Sequence, residues 1–351
     1  MYNLGFYLKK MISVFQILCK RLSYYCLVLA CSAMYIFSYF VNLVRLFVSG
    51  KRCKTKNRAS PPSCLVKPEL GVHGYLTLKN RNDLKIHYVA KGKPGNPLVL
   101  FLHGFPEFWY SWRFQLQDLS DDLYVIAVDM TGYGDSSKPQ NLDRYHVNEI
   151  AEDMKEVILE LGYNSCILVG HDWGGVVSFS VAHNFPEVVN KLVVVNVPHS
   201  RSFKKASFKQ LWCFTYIYFF QLPFIPEWIL SSNDFSLLNY IKSMANSNNF
   251  TASDLEAYKY CFQKGGFTFP LNYYRNLYNQ VYTSRGPFKK IVPPTLLIWG
   301  VNDPICLLES GRLSLEALEN GKIECIENAS HAPHYDQPRV FNSTLMKFIS
   351  S

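Results

Sequence analysis

Residues 166–175 have the sequence CILVGHDWGG, an apolar run followed by a glycine-rich turn with Asp172 at its centre. The apolar run predicts a buried strand at 165–169, and the small residues predict a sharp turn into a helix. In such a turn the central side chain lies above the edge of the sheet and acts as a nucleophile. A carboxylate there predicts attack on an alkyl carbon with formation of a covalent ester, whereas a serine would attack acyl groups. An aspartate that only caps the next helix is the alternative.

Short apolar or β-branched runs alternate with longer amphipathic stretches on both sides of this motif. Beyond 165–169, strands are predicted at 75–78, 85–90, 98–103, 124–129, 192–196, 295–299 and 322–326. Helices are predicted after Glu107 and at 146–161, 174–185, 308–318 and 337–349. This alternation predicts an α/β fold with a mostly parallel, eight-stranded sheet and helices on both faces.

Residues 199–285 interrupt this alternation because they are aromatic and helical and contain no apolar strand run. An interval of this length is too long for a plain loop. We therefore predict a helical cap at 199–285, inserted into a core formed by 71–198 and 286–351. Ligands of open α/β sheets bind at the carboxyl ends of the strands, where such a cap would close.

The N-terminal region contains an uncharged apolar stretch at 22–44. A helix of this length spans the hydrocarbon core of a bilayer, which is about 30 Å thick. We predict a membrane anchor at 1–49 with a single transmembrane helix at about 22–44, followed by a basic linker at 50–70, and we place the protein in the endoplasmic reticulum membrane. A cleaved signal peptide or a buried helix is the alternative. Basic residues after the helix favour a cytosolic body, while three glycosylation sequons permit a luminal one, so the orientation stays open.

The charge of the chain is unevenly distributed. The formal net charge is +9, but residues 1–70 contain 11 Lys and Arg and a single Glu, so the rest of the chain is close to neutral. A basic face for nucleic acid is therefore not expected. The ten cysteines include no Cys-x-x-Cys pair in the body, so neither a zinc site nor a disulfide framework is expected.

Further candidate residues follow the ends of other predicted strands. Phe105, after strand 98–103, is expected to point its backbone N–H towards that of Trp173, and the two donors would stabilise an oxyanion. Asp303 follows strand 295–299 and His331 follows strand 322–326, which gives the order nucleophile, acid, histidine found in α/β-hydrolases.

This order predicts His331 as the base that activates water, with Asp303 orienting its ring. His334 is the alternative base and Asp336 the alternative acid. Asp336 is expected instead to cap the terminal helix that begins near Pro338. His103 and His171 are expected to be structural.

Five motifs carry a resemblance to a known family. They are HGFPEFWYSWR at 103–113, GYGDSSKP at 132–139, GHDWGG at 170–175, YYRN at 273–276 and ASHxxxxDQP at 329–338. Over about 71–349 the sequence resembles the epoxide hydrolases of the α/β-hydrolase fold, most closely the membrane-anchored branch called epoxide hydrolases 3 and 4.

The resemblance implies Asp172 as nucleophile, His331 as base and Asp303 as orienting acid. It also implies that two cap tyrosines bind or protonate the epoxide oxygen. The second is Tyr274, and the first is Tyr216, with Tyr218 as the alternative.

The predicted reaction converts an apolar, lipid-derived epoxide and water into a vicinal diol, with no metal or organic cofactor. A haloalkane or haloacetate dehalogenase would use the same carboxylate and histidine but would need no proton donor. A catalytically silent, anchored ligand-binding protein is a further alternative, since residues 332–334 depart from the usual family pattern. The expected partners are the small epoxide and the lipid bilayer; the oligomeric state is left open.

Overall fold

A computed structural model describes residues 4–48, 55–119, 121–239, 241, 249–283 and 289–351. Eight strands form one sheet in the order β1-β2-β4-β3-β5-β6-β7-β8, antiparallel at β1/β2 and β2/β4 and parallel elsewhere. They are β1 Val72–Leu78, β2 Leu84–Gly92, β3 Leu98–Leu102, β4 Tyr124–Val128, β5 Cys166–His171, β6 Val189–Val195, β7 Thr295–Gly300 and β8 Gly321–Ile326. The predicted α/β fold and all eight strands are confirmed, with bounds that differ by up to three residues.

The central strands are apolar on both faces because helices cover both sides of a parallel sheet. Every residue of β3, β5 and β7 is buried. Parallel pairing places the carboxyl ends of these strands at one edge, as in the register pairs Leu102 with Gly170 and Val195 with Ile298. The residues that follow β3, β5, β6 and β7 therefore meet at this edge.

Helices in the described residues are α1 Leu4–Val48, α2 Arg113–Asp118, α3 Val147–Glu160, α4 Trp173–Asn184, α5 Phe208–Cys213, α6 Thr215–Phe219, α7 Ile225–Phe235, α8 Ala252–Gly265, α9 Thr268–Thr283, α10 Leu308–Ser314, α11 Pro333–Asp336 and α12 Pro338–Ile349. In the core, α3 packs against α4 and α2 packs against α12. The helices α5 to α9 lie between β6 and β7, as expected for the helical cap; residues 240, 242–248 and 284–285 of that region lie outside the described residues.

Polar contacts attach the helical cap to the core. Tyr110 donates a hydrogen bond of 2.8 Å to Asp254, which also accepts from Thr251 in the capping box that begins α8. On α9, Tyr273 donates to the carbonyl of Thr131 at 2.7 Å. These contacts hold α8 and α9 over the edge of the sheet at which the parallel strands end.

Residues 55–70, predicted as a linker, lie against the cap. Arg58 is buried and forms ion pairs with Asp234 at 2.8 Å and with Glu256 at 3.1 Å. Its guanidinium offers five donors, so it can bond to several acceptors at once. Basic composition alone did not predict this buried contact, since the two acids lie about 180 and 200 residues further along the chain.

Helix α1 is longer than the predicted 22–44 and contains one apolar span, Arg21–Arg45, that is long enough to cross a membrane. Its described side chains contact α6 and α7. The hydroxyl groups of Tyr35 and Thr215 are 3.2 Å apart, and the rings of Tyr39 and Trp228 are 5.5 Å apart. The apolar helix is therefore in contact with the helical cap.

Candidate active site

Asp172 lies in the sharp turn between β5 and α4, with φ 49° and ψ −118°. The turn needs glycine on both sides: a Cβ at Gly170 would lie 2.3 Å from the carbonyl oxygen of Gly174, and one at Gly174 would lie 2.2 Å from that of Leu102. Asp172 occupies the N-cap position of α4, but its side chain forms no capping hydrogen bond. The capping alternative is therefore wrong, and the carboxylate faces the edge of the sheet.

The loop after β3 places a backbone donor on this carboxylate. The N–H of Phe105 donates to Oδ1 of Asp172 at 2.9 Å. A Cβ at Gly104 would lie 2.6 Å from the Cβ of Asp172, so this approach requires glycine. Trp173, the other expected donor, begins α4 directly after Asp172.

His331 lies between two carboxylates. Its Nδ1 is 2.8 Å from Oδ2 of Asp303, and its Nε2 is 3.6 Å from Oδ2 of Asp172. Burial lowers the pKa of His331, but Asp303 and Asp172 outweigh this effect and raise the pKa well above its ordinary value. The ring is thus held with one nitrogen towards each carboxylate.

Asp303 is fixed by hydrogen bonds on both oxygens. Oδ1 accepts from the N–H groups of Ile305 at 2.8 Å and Cys306 at 3.0 Å. Oδ2 accepts from Nδ2 of Asn196 at 2.6 Å in addition to its contact with His331. A carboxylate held in this way keeps its neighbouring histidine in one orientation.

His334 and Asp336, the alternative base and acid, have surroundings that differ from those of His331 and Asp303. His334 is fully buried, its ring centroid is 4.3 Å from that of Trp112, and its ring nitrogens have no hydrogen-bond partner within the described parts of the chain. Burial lowers the pKa of His334 well below its ordinary value.

Asp336 does not cap the terminal helix α12: the N-cap residue is Gln337, and Asp336 accepts a hydrogen bond of 2.8 Å from the N–H of Ser330. That expectation is corrected. Asp336 holds the loop that carries His331.

The two predicted tyrosines come together from separate cap helices. Tyr274, on α9, is buried, and its ring lies 5.3 Å from that of Phe105, 5.0 Å from that of Trp173 and 5.9 Å from that of Tyr216 on α6. Burial, and then the charge of Asp172, raise the pKa of the Tyr216 phenol well above its ordinary value. Burial, Tyr216 and Asp172 do the same for Tyr274.

Tyr218, the alternative to Tyr216, lies on a different side of α6. Its ring is 6.1 Å from that of Tyr24 on α1. Successive helical residues are separated by about 100°, so positions two apart lie on nearly opposite faces. Of the two, the structure brings Tyr216 into contact with Tyr274.

Three polar residues around these side chains were not singled out from sequence. Glu107 accepts from the N–H of Gly104 at 2.9 Å and is 2.9 Å from Nδ1 of His171. Asn196 bonds to Asp303, as described above. Gln221 donates to the carbonyl of Tyr274 at 3.0 Å and so links α6 to α9. Glu107 lies inside the motif at 103–113, and Asn196 directly follows β6. The sequence alone could therefore have identified both as candidate site residues.

Among the residues that the structure describes, two groups of buried side chains have the composition and spacing to hold a cation. They are Asp303, Cys306 and His331, and Glu107, His171 and His334. In each group a histidine already contacts a carboxylate, at 2.8 Å for His331 and 2.9 Å for His171. The expectation that the chain uses no metal stays a prediction.

Comparisons with known proteins agree with this geometry. The α/β-hydrolase fold family model matches residues 97–338. Human epoxide hydrolase 4 is 38% identical over 305 residues, 83% of each chain. Mouse epoxide hydrolase 3 is 40% identical over 263 residues, 72% of this chain and 71% of its own length.

Among solved structures, an epoxide hydrolase of Bacillus megaterium in complex with an inhibitor superposes with a TM-score of 0.72. It is 32% identical and covers 79% of this chain and 100% of its own. These relatives are named epoxide hydrolases, so the dehalogenase alternative is not favoured. Fold, sequence identity and the order of the turn aspartate and histidine agree: the chain belongs to the α/β-hydrolase fold family, among its epoxide hydrolases.

Proposed function

We propose that this chain hydrolyses apolar epoxides to vicinal diols through an ester on Asp172. The observation that supports this most strongly is the convergence, at one edge of the sheet, of a carboxylate, a histidine and two phenols. A dehalogenase would release halide without protonation and would have no use for the phenols. The names of the relatives support the same reaction.

In the first step, a carboxylate oxygen of Asp172 attacks an epoxide carbon. The new carbon–oxygen bond forms as the ring carbon–oxygen bond breaks. An alkoxide is a poor leaving group, so the ring oxygen takes a proton from Tyr274 or Tyr216. The raised pKa values of both phenols keep them protonated at neutral pH.

Formation of the ester prepares the second step. Asp172 loses its negative charge when it is alkylated, and that charge is one of the two that raise the pKa of His331. The pKa of His331 therefore falls when the ester forms, which favours the neutral imidazole needed to take a proton from water. Asp303 stays in contact with Nδ1 and keeps Nε2 directed at the reacting group.

The activated water then attacks the carboxyl carbon of the ester. Negative charge develops on the oxygen that receives the N–H of Phe105. Donors of this kind are worth about 3 kcal/mol each in comparable sites. Collapse of this intermediate breaks the ester bond, and the leaving alkoxide takes the proton of the new carboxyl group, which releases the diol and restores the carboxylate. The proton held by His331 replaces the one that the tyrosine lost in the first step.

An apolar, lipid-derived epoxide is the substrate class that we propose. The rings of Phe105, Trp173 and Phe220 surround Tyr274 at 5.0–5.3 Å. Apolar walls with a few polar groups are typical of sites for small apolar molecules. Such a substrate partitions into membranes, and α1 would keep the enzyme beside them.

The experiment compares the full chain with Asp172→Asn in detergent or lipid vesicles. Asparagine keeps the size of the side chain and tolerates a positive φ. With a long-chain alkyl epoxide, we expect diol from the wild type and none above background from the variant. Release of bromide from an alkyl bromide without diol formation from the epoxide would instead establish the dehalogenase; no turnover of either would favour a silent binding protein.

We also propose that the chain resides in the endoplasmic reticulum membrane. An apolar segment near the N-terminus, Arg21–Arg45, supports this because such segments direct chains to that membrane. Microscopy of the tagged full chain should show overlap with a marker of that compartment, and a soluble distribution would contradict the proposal. Protease digestion of sealed vesicles would establish the side on which the body lies.

A further inference from the structure

Helix α1 contacts the helical cap along most of its apolar span. Between Tyr24 and Tyr39 the partly or fully buried residues of α1 lie mostly three or four positions apart and so form one stripe along the helix: Tyr24, Val28, Cys31, Ser32, Tyr35 and Tyr39. On the cap side the partners are Tyr218, Thr215, Phe219 and Trp228. Between Leu22 and Phe40, the other faces of α1 are exposed and mostly apolar.

The neighbouring cap surface is also exposed and apolar. The side chains concerned are Phe208, Leu211 and Trp212 on α5, and Phe224, Ile225 and Trp228 at the start of α7. Phe208 and Phe224 are each about four-fifths exposed, at 80% and 82%. Contiguous exposed apolar surface is typical of an interaction site.

We propose that this face of the cap, α5 with the start of α7, inserts into the surface layer of the bilayer that holds α1. The contacts from Tyr24 to Tyr39 span 15 helical steps, or about 22 Å of helix at 1.5 Å per residue. If α1 crossed the bilayer, this contact would carry the cap deep into the hydrocarbon core, which is about 30 Å thick. We therefore place this stretch of α1 along the bilayer surface, at the same depth as the cap.

The composition of the face fits lipid headgroups. Trp and Tyr are enriched where headgroups meet hydrocarbon. Exposed Lys209 directly follows Phe208, and exposed Lys204 lies four residues before it; both match the negative charge of phosphates. A second copy of the chain would cover an apolar face but would not account for the continuity with the apolar surface of α1.

The test uses the tryptophans of the full chain. Of the six, Trp212 and Trp228 are 59% and 60% exposed, while Trp109, Trp112, Trp173 and Trp299 are buried. The chain is reconstituted into vesicles whose phospholipids carry bromine either near the headgroup or near the end of the acyl chain. We expect strong quenching of tryptophan fluorescence by the shallow bromines and weaker quenching by the deep ones. The joint substitution Trp212→Phe and Trp228→Phe should remove that quenching.

Variants that place a charge in this face of the cap, compared with a variant that places one elsewhere, supply the control. Phe208→Glu with Leu211→Glu should reduce quenching at least severalfold, whereas Val340→Glu, at an exposed position of α12, should leave it unchanged. Absence of quenching in the wild type, with the chain shown by flotation to be vesicle-bound, would overturn the proposal; self-association with unquenched tryptophans would assign the face to a second copy. Since no step requires turnover, the result is independent of the proposed reaction.

Discussion

At the scale of single residues, ester hydrolysis depends on the changing charge around His331. In the free protein, burial lowers the pKa of His331, but Asp303 and Asp172 raise it well above its ordinary value. Alkylation of Asp172 removes one of these charges. The pKa of His331 should therefore be lower in the ester form of the enzyme than in the free enzyme.

The pH dependence of ester hydrolysis tests this difference. The step needs neutral His331, so its rate should rise with pH and level off above the pKa of His331 in the ester form. That midpoint should lie below the pKa that NMR measures for His331 in the free enzyme. Equal midpoints, or a rate that falls as pH rises, would contradict the account.

The phenols provide a second prediction at this scale. Tyr274→Phe and Tyr216→Phe remove the proton donors, and the double variant should slow ester formation by about 10²- to 10⁴-fold. Each single variant should slow ester formation by a smaller factor, because one phenol remains. Tyr218→Phe is the matched control because its ring faces α1, and its rate should not change. A slow Tyr218 variant beside a fully active Tyr216 variant would reverse the assignment.

The residues differ in how far sequence could predict them. Asp172, Asp303 and His331 follow strand ends in a fixed order, so chain order was enough to propose them. The choice between Tyr216 and Tyr218 needed the position of α1. The contact between Asn196 and Asp303 joins residues 107 positions apart, and strand patterns do not reveal which side chains meet across such a distance.

At the scale of elements, the turn between β5 and α4 tolerates little change. Gly174→Ala would place a Cβ 2.2 Å from the carbonyl oxygen of Leu102, a backbone atom that cannot move freely. We expect a loss of about 1–3 kcal/mol in the free energy of unfolding, measured with urea in detergent, together with loss of activity.

Gly265→Ala is the control for this substitution. Its Cβ would lie 3.3 Å from Cε of Lys138, near the end of a flexible side chain, and at an ordinary contact distance of 4.0 Å from the carbonyl oxygen of Gly134. Gly265 ends helix α8. Its free energy of unfolding should change by less than about 1 kcal/mol. Wild-type stability in Gly174→Ala would show that the turn is less tightly packed than the structure indicates.

The elements themselves were largely predictable because apolar runs and amphipathic stretches have different periods. All eight strands are found, and the cap region is helical as expected. The polar contacts of residues 55–70 were not predictable, because Arg58 meets its acids only once α7 and α8 have folded.

At the scale of the whole molecule, the basic excess and the apolar helix lie at the same end of the chain. Exposed apolar side chains on α1, such as Leu22, Leu29 and Phe37, predict attachment by the hydrophobic effect and not by charge. The full chain should stay in the membrane pellet after washes in high salt and in alkaline carbonate, as shown by immunoblotting. Release by salt alone would indicate electrostatic attachment.

The central claim is that the carboxylate of Asp172 becomes covalently bound to substrate. The most direct measurement is a single turnover in water labelled with oxygen-18, with excess enzyme and mass analysis of both products. The account predicts that the first diol carries unlabelled oxygen taken from Asp172, and that the label appears in the enzyme at that residue. Labelled diol from the first turnover, with an unlabelled enzyme, would mean that water attacks the epoxide directly and would contradict the account.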